Sequence, residues 1–102
     1  MSSASSTVMR FCFVRLRQEL AAQRDELCAK LRDELTAACA PHPVWTGVPG
    51  DDSAIRWDLA VTISLPDLAA WERLAGAPAL AAIMDRLDGA AEVLKTWTFA
   101  QR

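Results

Sequence analysis

The sequence predicts an α+β fold in which strands and helices follow in the order β-α-β-β-α-β, the four strands forming one antiparallel sheet with the helices on one of its faces. Three observations carry this. Residues 8–17, 55–65 and 93–100 alternate with the two-residue period of strands, while residues 18–39 and 68–87 change to a helical period. Breaks rich in Pro, Gly and Asp separate these segments.

The first strand, residues 8–17, sets Met9, Phe11, Phe13 and Arg15 against Arg10, Cys12, Val14 and Leu16, so both of its faces are largely apolar and both need cover. A helix over residues 18–39 follows, lining Leu20, Leu27, Leu31, Leu35 and Ala38 on one side with Cys28 beside them. Glu26 and Lys30 stand one turn apart on its other side as an expected ion pair. Pro41 and Pro43 end it, and a short strand over residues 44–48 runs into the turn Pro49-Gly50-Asp51-Asp52. On the third strand Ile55, Trp57, Leu59, Val61, Ile63 and Leu65 share one face, opposite Arg56, Asp58, Ala60, Thr62 and Ser64. Asp67 is placed to cap a helix carrying Leu68, Trp71, Leu74 and Ala75, and Pro78 suits the first turn of a second one carrying Leu80, Ile83, Met84 and Leu87. Asp88-Gly89 is expected to close it. A fourth strand sets Val93, Lys95, Trp97 and Phe99 opposite Leu94, Thr96, Thr98 and Ala100.

This order is the split βαβ, or ferredoxin-like, arrangement, in which the first and third strands are central. Its helices cover one sheet face only. Met9, Phe11 and Phe13 on the other face form an apolar patch that calls for a partner, so the expected assembly is a homodimer with two sheets face to face, a dimeric α+β barrel.

A chain of 102 residues makes one domain, assigned to residues 8–102, with residues 1–7 as a frayed tail that lacks the charged start and apolar run of a secretory signal. The net charge of −2 gives no electrostatic reason to expect nucleic acid or an anionic membrane as partner. No segment approaches the length of apolar sequence a membrane helix needs. Cys28 and Cys39, eleven residues apart on one helix, would lie about 16 Å from each other, too far to bridge. Unpaired thiols fit a reducing, cytoplasmic setting. With no Cys-x-x-Cys or Cys/His cluster and a single histidine, His42, no metal site is expected, and no cofactor either.

The opening strand ending in Arg15-Leu16-Arg17, the Trp45-x-Gly47 strand and the run from Trp57 to Leu80 resemble the stress-responsive A/B barrel (Dabb) family over nearly the whole chain after Thr7. The resemblance implies a dimeric ferredoxin-like α+β barrel. Family members acting as plant polyketide cyclases carry histidines on the first strand, on the third strand and at the start of the last helix. The matching positions here are Arg10, Leu59 and Leu80, and the family's His-Pro-x-His stands as Ala77-Pro78-Ala79-Leu80. None of these can act as an imidazole base, so cyclase chemistry by those residues is disfavoured. Related barrel monooxygenases and haem-degrading enzymes imply a polar pocket or a haem-ligating histidine, whereas His42 lies between two prolines.

Arg10, Trp57, Leu59 and Leu80 are therefore the candidate ligand-binding residues, between sheet and helices. Met9, Phe11 and Phe13 are the candidate dimer interface. Arg10 reads either as an anion anchor in that space or as an arginine snorkelling from its strand. Arg15 and Asp58 are expected to pair across strands. Cys12 lacks a base and reads as inert, and the four tryptophans read as core and interface anchors. The expected function is that of a barrel protein with no recognisable catalytic residues, binding at most a small, mostly apolar or aromatic ligand. The alternative is a cofactor-independent cyclase, isomerase or monooxygenase acting on an aromatic or polyketide-like substrate.

Overall fold

The computed structural model describes residues 7–102. Its elements are β1 (Val8–Leu16), α1 (Arg24–Cys39), β2 (Val44–Gly47), β3 (Leu59–Leu65), α2 (Leu68–Ala75), α3 (Pro78–Ala90) and β4 (Ala91–Ala100). The four strands form one antiparallel, unclosed sheet in the order β2-β3-β1-β4, with β1 and β3 central as the split βαβ order requires. The expected tail falls outside the described residues except for Thr7, whose carbonyl accepts a hydrogen bond from the Gln101 amide at 2.8 Å.

The core forms on one side of the sheet. Val8, Cys12, Val14 and Leu16 of β1 and Leu59, Val61, Ile63 and Leu65 of β3 are buried there. Against them pack Leu31, Leu35 and Cys39 of α1, spaced four residues apart so that they stack on one helix face, and Leu80, Ile83 and Leu87 of α3. The fold measures 51 × 31 × 19 Å, and its thin axis holds one helical layer and one sheet layer.

Local chemistry sets the boundaries. Asp67, extended at the start of α2, accepts the Ala70 amide on Oδ1 at 2.8 Å, which is the expected cap. Pro78 opens α3, which runs through Gly89 to Ala90 rather than closing at Asp88-Gly89. The Arg17 amide and its Nε donate to the carbonyls of Ala90 and Gly89 at 3.0 and 2.8 Å, tying the end of β1 to the end of α3. The helix expected from Gln18 starts as a 3-10 segment, Gln18–Gln23, and becomes α-helical only at Arg24. No side chain caps either start, so the first turns tighten instead. The described ion pairs do not include Glu26 with Lys30; Arg86 of α3 bonds Glu34 of α1 at 2.9 Å and links the two helices.

The entry to β3 departs most from expectation. Asp52–Ala54 forms a 3-10 turn held by the Asp51 carboxylate, which accepts the Ser53 amide at 2.9 Å. Ile55 is then 79% exposed instead of buried. Asp58 does not reach Arg15, which pairs with Glu92 at 3.6 Å. It binds the β1 backbone instead: its amide donates to the Val14 carbonyl and its Oδ2 accepts the Leu16 amide, both at 2.8 Å. The side chain of Asp58 thus stands in for a strand residue just before β3 begins.

Asp58→Ala would leave the half-buried Leu16 amide without its acceptor, a loss of about 1–3 kcal/mol, with Asp58→Asn losing less. Urea unfolding of the three proteins checks this order.

Candidate ligand cavity and the open sheet face

Arg10 projects from near the start of β1 to the helical side, opposite Ile63 on β3 and Thr98 on β4. Its NH1 donates to Thr98 Oγ1 at 2.8 Å, and its guanidinium carbon lies 4.5 Å from the ring centre of Trp71 on α2, a cation–π contact. Beneath it is a small, mostly enclosed cavity of about 40 Å³ between sheet and helices. Leu35, Val61, Ile63, Trp71, Leu80, Met84 and Leu87 supply its apolar wall, and Arg10, Cys12 and Thr96 its polar groups.

Among the described residues no ion pair includes Arg10, and residues 1–6 contain no acid. Partial burial lowers the Arg10 pKa, the nearby Cys12 opposing the shift. Burial pushes the Cys12 thiol up to about 11, against a smaller downward pull from Arg10. The thiol is therefore protonated at neutral pH and a poor nucleophile. The lining contains neither imidazole nor carboxylate, so it offers no general base near neutrality. Among the described residues no three His, Cys, Asp or Glu side chains are grouped to hold a metal.

Of the four residues singled out for ligand binding, Arg10 and Leu80 line this cavity together. Leu59 is 1% exposed in the core and is not part of the cavity wall. Trp57 lies on the opposite side of the sheet, its ring 5.6 Å from that of Phe13, because the chain turns before β3 begins. Trp71, Met84, Thr96 and Thr98 were absent from the sequence-based set. Alternation puts the two threonines on the face of Leu94, but only the crossing of α2 over β1 brings Trp71 onto Arg10.

The open face carries an aromatic cluster along β1 and β4. Phe11 and Phe13 stand opposite Trp97 and Lys95, and Met9 opposite Phe99. Ring centres are 5.6 Å apart for Phe11 and Phe99 and 5.5 Å for Phe13 and Trp97, both edge to face. Phe99 nevertheless remains 59% exposed. Trp45, opposite Thr62, extends this face onto β2, with its ring lying across Gly47 where a Cβ would collide.

No protein-family model matches the chain, and no curated protein matches it. Solved structures do share its fold. The hydroxynitrile lyase from Passiflora edulis is similar at a TM-score of 0.80 and 12% identity, over 97% of this chain and 96% of that one. A dimeric ferredoxin-like protein of unknown function from Thermobifida fusca YX gives 0.78 at 15% identity, over 95% and 92% of the two chains. A dabb family protein with a ferredoxin-like fold from Mesorhizobium loti gives 0.74 at 12% identity, over 96% and 99%. Likeness at these identities establishes the ferredoxin-like fold.

Because Cys12 stays protonated to a higher pH in the fold than in the unfolded chain, the unfolded chain alone releases this proton first on alkalinisation. The stability that follows from the neutral buried thiol is intact below pH 9.0 and lost as the pH rises to about 11. Urea unfolding between those two pH values is expected to show a fall in stability that is shallower in Cys12→Ala.

Proposed function

We propose that the chain is a Dabb-like dimeric α+β barrel protein that binds a small, mostly apolar ligand between sheet and helices and carries no catalytic residues of its own there. The observation that carries this reading is the cavity under α2 and α3, whose wall is apolar except for Arg10, Cys12 and Thr96. Its size supports a small ligand. At about 40 Å³ it is far below the ~300–1,000 Å³ of drug-sized sites, while Met84 is half-buried and can rotate to enlarge it.

The partner we propose is a second copy, seated on the open sheet face over Met9, Phe11 and Phe13. Burying each of these large side chains contributes about 1.5–3 kcal/mol, and the exposed rings of Trp97 and Phe99 extend the same surface. A solved structure of this fold is described as dimeric. No helix among the described residues is long and apolar enough to cross a membrane. Cys12, Cys28 and Cys39 are all free, which supports a reducing, cytoplasmic setting. The enzyme reading, a cofactor-independent cyclase, isomerase or monooxygenase, draws on the fold shared with a hydroxynitrile lyase; against it stands a lining with no group to take a proton near neutrality.

Titration of the protein with pentanol, followed by backbone amide shifts, tests the ligand reading. Saturable shifts at Cys12, Leu80 and Met84 are expected, and their loss in Leu80→Phe, which fills the cavity. Absence of saturable shifts in the wild type would remove the basis for a ligand site.

A further inference from the structure

Every charged side chain in an ion pair of the described residues lies on the outer surface, and four of the chain's arginines find a carboxylate within 4 Å there. Arg10 differs in both respects. It rises from the central strand into the space beneath the helices, and its guanidinium is held from two sides without being neutralised. Trp71 covers one of its flat faces and Thr98 takes one of its N–H donors. A guanidinium has five such donors in a rigid planar fork that matches a carboxylate, and among the described residues Thr98 Oγ1 is its one hydrogen-bond acceptor. With the Trp71 ring against the guanidinium carbon, four of the five donors have no acceptor among the described residues. Directly beneath lies the cavity, whose wall is mostly apolar.

We infer that the site binds a small aliphatic monocarboxylate, its carboxylate on the guanidinium of Arg10 and its short chain among Leu80, Met84 and Leu87. This rests on the ligand reading above and adds the charge and class of the ligand. One cation sits at the cavity with no acid beside it, so a single negative charge balances the site and a second would stay unpaired. The limited volume selects a short aliphatic chain over a polycyclic one, and the absence of carboxylates in the lining removes any counter-charge that would repel the anion. Trp71 is a positioning residue in this arrangement, because it orients the guanidinium without reaching the ligand's carboxylate.

The experiment compares two probes of equal chain length, pentanoate and pentanol, titrated into wild type, Arg10→Leu and Arg10→Gln and followed by backbone amide shifts near neutral pH. Wild type is expected to bind pentanoate at least about tenfold more tightly than pentanol, as a charge-assisted bidentate contact provides, with shifts at Cys12, Thr96 and Met84. Both variants should lose that preference and keep pentanol. Equal affinity for the two probes in wild type, a preference unchanged in the variants, or pentanoate shifts confined to other surfaces would overturn the monocarboxylate assignment and leave the apolar ligand reading standing. Failure of both probes to bind would overturn both. If Arg10→Leu does not fold, the wild-type comparison and Arg10→Gln still decide.

Discussion

The fold depends on β1 being apolar on both faces while the chain supplies a helical layer for only one of them. On the covered side Val8, Cys12, Val14 and Leu16 meet α1 and α3 and are almost fully buried. On the other side Phe11 and Phe13 pack against one another and against Trp57, Trp97 and Phe99, with no helix of the described residues over them. A domain this small buries a modest share of its surface alone, so a second sheet over that face would both shield the rings and add to stability. The register of β4 follows the same logic, since it places Phe99, Trp97 and Lys95 directly opposite Met9, Phe11 and Phe13 and so gathers the aromatic groups on one face.

The same central strand carries the one charged side chain that lines the cavity on the helical side. Arg10 is tolerated there because Trp71 stacks on it and Thr98 accepts from it, and because its head stays close enough to the rim to remain hydrated in part. A leucine or valine at this position would have removed the one charge from the cavity's lining. The arginine instead leaves a polar notch in an apolar wall, beside a thiol that burial keeps protonated. Such a site suits recognition of a small amphipathic molecule better than proton-transfer chemistry.

Much of this was legible in the sequence because it depends on local periods. The strand order, the face carrying Arg10, the cap at Asp67 and the first turn at Pro78 all follow from alternation, helical spacing and cap chemistry. The approach to β3 was not legible. Residues 55–58 continue the alternation of the strand, yet Asp58 bonds the backbone of β1 with its side chain, and a face pattern carries no sign of such a bond. Trp57 consequently joins the open face instead of the cavity. The meeting of Trp71 with Arg10 also escaped the sequence, because it depends on where α2 crosses the sheet and not on either residue's neighbours along the chain.

The central claim, that a second copy covers the open face of β1, is tested most directly by sedimentation of the wild type beside Phe11→Asp. Phe11 lies at the centre of the aromatic cluster and opposite Trp97 on β4, so a charge there would be desolvated in a face-to-face pair of sheets. The account predicts a dimeric wild type and a monomeric or aggregating variant. A monomeric wild type, or a Phe11→Asp variant that sediments as an unchanged dimer, would contradict it.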